Sequence, residues 1–175
     1  MSEPVWVPLG TAGTPKAVYP IDFRNPNVGA VPGNAYPLVT TVSGWEEWAW
    51  ALSATATGIV YGVFRLPENV PNPATASMKF DLAATNAGNV RLEIQAKGIA
   101  DGEALSWSTW DVPSTLATVT LAARTRKVHV VSGITIPTML APGDLCVVYF
   151  SRVGADAADT CTSPLELVYG ALVID

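Results

Sequence analysis

The side chains able to do chemistry are few and scattered. His129 is the sole histidine among 175 residues. It sits in the alternating run Lys127-Val128-His129-Val130-Val131, where an imidazole reads as a structural or surface group before a general base. A Ser-His-Asp triad would have to be built around it, and nothing singles out its partners. Gly-x-Ser-x-Gly, P-loop and His-Glu-x-x-His patterns do not occur. Carboxylates gather in turn-rich segments: Asp101 with Glu103, Asp144, then Asp156 with Asp159. Such pairs can serve as acid and nucleophile in glycoside hydrolysis, or hold Ca²⁺ through oxygen. Asp is also an ordinary turn residue, because its side chain caps neighbouring N–H groups. The segment Gly154 to Thr160 lacks the ligand density of an EF-hand, so turn chemistry is the leading reading. No enzyme activity, metal or cofactor is expected.

Sulfur and indole complete the inventory. Cys146 lies inside the apolar run Leu145 to Phe150, where a thiol behaves as a small hydrophobe. Cys161 follows the acidic loop. Neither has zinc-site spacing, and inert thiols are the default over a disulfide. Tryptophan is in excess, at positions 6, 45, 48, 50, 107 and 110. Trp48 and Trp50 share a face if 48 to 52 is a strand. Exposed, they would stack on sugar rings; buried, they would be core or subunit interface. The many apolar strand faces that need cover favour the buried reading.

Those residues must be positioned by one domain, since 175 residues hardly suffice for two. Hydrophobic residues make up 49% and charged residues only 14%, against about 25% charged in an average soluble domain. So little charge implies that part of the surface meets another protein. The net charge of −5 offers no footprint for phosphate backbones or anionic membranes, so neither nucleic acid nor membrane is an expected partner. The first residues lack the basic and apolar regions of a secretory signal, and synthesis in a reducing cytoplasm is expected.

From residue 45 onward the hydrophobic period is two. Val90, Leu92, Ile94 and Ala96 alternate with Arg91, Glu93, Gln95 and Lys97, which predicts a strand with one face in a core and one in water. Met78 to Leu82 reads the same way. Residues 59–64, 146–150 and 167–174 are apolar on both faces and need cover on both sides. Further strands are predicted at 48–52, 117–122 and 127–136. Turns fall at 67–73, 86–89, 100–102, 142–144 and 154–159. Only 104–110 suggests a turn of helix. About eight strands with turn-rich connections predict an all-β, antiparallel two-sheet sandwich over residues 45–175, of jelly-roll type.

Residues 1–44 read differently. Seven of the 14 prolines lie in the first 40 residues, a spacing that forbids a helix or a central strand. The segment is nonetheless too aromatic and too weakly charged for a disordered tail. An extended arm is expected, lying along a partner surface or packed on its own domain. In the first case Trp6, Tyr19, Phe23, Arg24 and Tyr36 are its partner-binding residues.

Several stretches resemble β-sandwich domains of tailed-bacteriophage virion proteins, most closely capsid decoration (cement) proteins. They are Tyr61 to Pro67, Lys79-Phe80, Gly88 to Arg91, Ala100 to Glu103, Leu140 to Leu145 and Arg152 to Thr160. The resemblance covers residues 45–175 through turn and strand-edge patterns, and the arm lies outside it. It implies a homotrimer on the outer capsid surface that bridges major capsid protein subunits. Similar domains form head-fibre and tail-fibre tips, so a tip that binds host-surface carbohydrate is the alternative. The absence of coiled-coil heptads or β-repeats favours decoration.

Overall fold

The computed structural model describes residues 17–24, 35–42, 45–71, 73–104 and 109–174. Among the described residues eleven strands run in chain order: β1 (Val18–Pro20), β2 (Asp22–Arg24), β3 (Ala35–Val42), β4 (Trp45–Leu52), β5 (Thr57–Arg65), β6 (Ala74–Ala84), β7 (Gly88–Ile99), β8 (Val112–Leu121), β9 (Lys127–Ile136), β10 (Leu145–Val153) and β11 (Leu165–Ile174). One sheet has the order β3-β4-β11-β6-β9, with β1 also paired to β11. The other has the order β2-β5-β10-β7-β8. All pairings are antiparallel. No helix occurs among the described residues. The chain is a two-sheet sandwich of jelly-roll type.

Alternation builds the core. Val90, Leu92, Ile94 and Ala96 of β7 are buried, facing Met78, Phe80 and Leu82 of β6 across the sandwich. Phe80 and Phe150 meet at its centre with ring centroids 5.1 Å apart. The doubly apolar strand β10 runs between β5 and β7. Its outward Tyr149 packs against Tyr61 at 5.6 Å and against Trp110 at 5.9 Å. Part of the cover that this face needs therefore comes from the chain's own β7–β8 connection. In β9, Gly133 has φ +80° beside the register shift opposite Ala76 and Met78. Only glycine takes that conformation without strain, and the bulge bends the edge strand.

The expected boundary at residue 45 is corrected. The described parts of the leading segment are extended, as its prolines lead one to expect, but they belong to the sheets. β1 pairs with β11 in one sheet, and two residues later β2 pairs with β5 in the other. The chain crosses at Ile21, which is buried and whose N–H donates to the Gly170 carbonyl at 2.8 Å. Two strand glycines make room for the crossing. A Cβ on Gly62 would overlap Ile21 Cγ2, and a Cβ on Gly170 would lie 2.6 Å from Phe23 Cε2. β3 then forms the edge of the first sheet, where Pro37 is tolerated because an edge strand leaves alternate N–H groups unpaired. The aromatic residues that made the arm look adhesive serve partly as core.

Candidate functional site

The acidic loop after β10 is a closed structural clamp. The Arg152 side chain is 0% exposed, as is that of its partner Asp159. Arg152 donates to Asp159 from Nε at 2.8 Å and from Nη2 at 2.6 Å, and from Nη1 to the Ser163 carbonyl at 2.7 Å. Nη2 also donates to the Cys161 carbonyl. The Arg91 backbone N–H adds a further bond to Asp159 at 3.0 Å. Asp156 accepts from the Ala158 N–H at 2.8 Å and lies 3.8 Å from Arg91 Nε. These oxygens are engaged by fixed donors rather than converging on an open position. Among the described residues no group of three or more His, Cys, Asp or Glu is arranged to hold a metal ion.

The other candidates are dispersed. Glu103 accepts from the Ala100 N–H at 3.2 Å and lies 3.7 Å from the buried Lys97 ammonium. Asp111 accepts from the Gly98 N–H at 2.9 Å. His129 is half-buried in β9 opposite Phe80, and burial, with Lys127 nearby, lowers its pKa below the ordinary value. Cys146 and Cys161 are free and buried. Burial and then Asp144 push the Cys146 thiol up to about 12, which removes it as a nucleophile.

An open groove lies beside the crossing strand. β4 pairs with β11 only over Leu165 to Leu167. Beyond the bulge between Leu167 and Tyr169, β11 takes β1 as its neighbour instead. The fork leaves a groove of about 280 Å³ lined by Phe23, Pro37, Trp48, Trp50, Leu167 and Tyr169, with Asp22 at its rim. Trp48 and Trp50, two apart on β4, take different roles. Trp50 packs against the core and its Nε1–H donates to the Phe23 carbonyl at 3.1 Å, tying β4 to the crossing strand. Trp48 stands at the mouth, 74% exposed. Within the single chain Trp48 is therefore not core, and Trp50 is core in part.

The five arm residues separate along the same line. Trp6 lies outside the described residues. Tyr19 in β1 is half-buried against the core. Phe23 packs on Phe80 and Phe150, with centroids 6.3 Å from each, so its inner edge is used by its own fold. Arg24 is exposed and donates to Asp22 at 2.6 Å from Nη2 and at 3.0 Å from Nε. Tyr36 is exposed on β3. Sequence reasoning missed Asp22, Pro37 and Tyr169. The available signal was a glycine inside each of two apolar strands, which marks a close backbone approach.

No protein family and no curated relative matches the sequence. Among solved structures, the chain superposes on a family 35 carbohydrate-binding module from Clostridium thermocellum with a TM-score of 0.53 and 14% identity, covering 90% of this chain and 96% of that one. It also superposes on Arthrobacter globiformis T6 isomalto-dextranase complexed with panose, with a TM-score of 0.54 and 15% identity. That match covers 90% of this chain but only 23% of the dextranase, so the chain spans about a quarter of that enzyme. The likeness is one of fold.

Proposed function

We propose that the chain is a non-enzymatic structural protein of a tailed-bacteriophage virion, made in the host cytoplasm, that decorates the outer capsid. It acts as a homotrimer that bridges and stabilises major capsid protein subunits, with no nucleic-acid or membrane partner. The observation that carries this reading is an apolar border on adjoining edge strands. β8 and β9 end their respective sheets on the same side of the sandwich. They present Leu116, Val128 and Val130 to solvent. Exposed edges with apolar side chains are pairing surfaces unless covered. Burying such surface contributes roughly 25 cal/mol per Å² before association costs are subtracted.

The resemblance supports the same reading, and one of its stretches, Arg152 to Thr160, has a structural use. The attachment role is assigned to the leading segment, through Trp6 and the exposed Arg24 and Tyr36. Deleting residues 1–16 is expected to leave a folded protein that no longer binds capsids; full capsid affinity after the deletion would place attachment in the sandwich. Sedimentation of the whole chain at micromolar concentration tests the trimer, and a stable monomer would contradict it.

A second reading, a head-fibre or tail-fibre tip that binds host-surface carbohydrate, is favoured by one specific observation. This is the exposed Trp48 indole at the mouth of a preformed groove.

A further inference from the structure

We propose that the fork between β4 and β11 is a binding site for a single neutral pyranose ring, stacked on the Trp48 indole. The inference rests on the carbohydrate reading above and deepens it by naming the site and the class of sugar. Size limits the occupant first. A volume of about 280 Å³ lies at the lower edge of the roughly 300–1,000 Å³ typical of small-molecule sites. It accommodates one ring and excludes a folded segment or a peptide helix.

The chemistry of the walls limits it further. Trp48 offers a flat, exposed π-face whose partial negative charge attracts the polarised C–H groups on the apolar side of a pyranose. Leu167 and Pro37 give apolar floor and wall. The lining also holds two polar side chains, Asp22 and Tyr169, as hydrogen-bond partners for sugar hydroxyls. An amphipathic ring with one C–H face and an equatorial hydroxyl edge matches that division. Charge decides between neutral and acidic sugars. Asp22 is the one charged residue among the described residues lining the groove, and Arg24 beside it is already bound to the same carboxylate. Among the described residues no uncompensated cation lines the groove to receive a uronate or sialate.

The site is preformed. Trp50 is fixed by its bond to the Phe23 carbonyl, and Phe23 by the rings of Phe80 and Phe150. Little ordering is needed on binding.

The test is a glycan array with the whole chain, followed by titration of W48A and of wild type with methyl glycosides of neutral hexoses and with a uronic acid. The expected result is that wild type retains neutral glycans and W48A binds at least tenfold more weakly with an unchanged Tm. Trp48→Phe, which keeps a smaller ring, is expected to restore part of the affinity. If wild type binds glycans and W48A binds them equally, the site is elsewhere: this inference falls while the carbohydrate reading stands. Preference for the acidic sugars also overturns it. Retention of no glycan at millimolar concentration overturns both. Loss of self-association in W48A, with glycan binding untouched, would make the groove a subunit contact and overturn the inference.

Discussion

Arg152 and Trp48 invert the usual partition of side chains. The guanidinium is 0% exposed, while the indole is 74% exposed. Around Arg152 the donors are taken up by a carboxylate and two carbonyls. Around Trp48 the sheet forks and leaves one side open. A buried charge must be fully partnered, so its chemistry is spent on holding the loop after β10 to the end of the sandwich. An exposed indole leaves hydrophobic free energy unrecovered in the isolated chain, which only a ligand or a neighbour can supply. Asp159, a candidate for chemistry in the sequence, is therefore engaged in structure, and Trp48, a candidate for core, is the open one in the single chain.

The largest expected effect lies at the clamp. Arg152→Ala leaves Asp159 buried without its counter-charge and is expected to cost about 3–5 kcal/mol, read as a fall in the urea midpoint. The double change Arg152→Met with Asp159→Leu is expected to recover most of that loss, because no unpaired charge remains. A single variant as stable as wild type would show that the pair holds nothing together. The crossing strand comes next. Gly170→Ala places a methyl group against Phe23, and overpacking of this kind costs about 1–3 kcal/mol. Its circular dichroism should stay β-rich while the Phe23 contacts loosen; an unchanged Tm would mean that β2 is not part of the fold.

The groove should behave oppositely. Trp48→Ala is expected to change stability by no more than about 0.5 kcal/mol, as exposed substitutions usually do. A loss as large as that of Arg152→Ala would remove the contrast between the two regions. The smallest effect is a pH dependence at His129. Its folded pKa is depressed by burial and by Lys127, so the folded chain disfavours the proton. That contribution is fully present above the unfolded value, about 6.5, and is lost as pH falls below it. His129→Gln should flatten the fall in Tm between pH 7.5 and pH 5 relative to wild type.

How much of this was legible follows from the same physics. The run from Asn89 to Lys97 announced β7 because strict alternation has one solution, and residues 59–64 and 146–150 fell in the strands β5 and β10 that their two apolar faces require. The strands β1, β2 and β3 were hidden by proline. Pro20 ends β1 and Pro37 lies within β3, positions that only sheet edges and strand ends allow, and local sequence does not say where an edge will be. Asp22, Pro37 and Tyr169 converge on the groove from three separate strands, so no spacing could have joined them. Trp48 was visible as a candidate. Its exposure depends on β11 changing partners after Leu167, which is a property of pairing rather than of composition.

The central proposal is that the chain is a capsid component, and its copy number in purified virions tests this most directly. Quantitative mass spectrometry of particles, before and after a salt wash that removes adventitious protein, gives the ratio of this chain to the major capsid protein. The expected result is a fixed stoichiometry comparable to that of the major capsid protein, retained through the wash. A chain absent from the particles, or present in only a few copies confined to the tail, would contradict decoration.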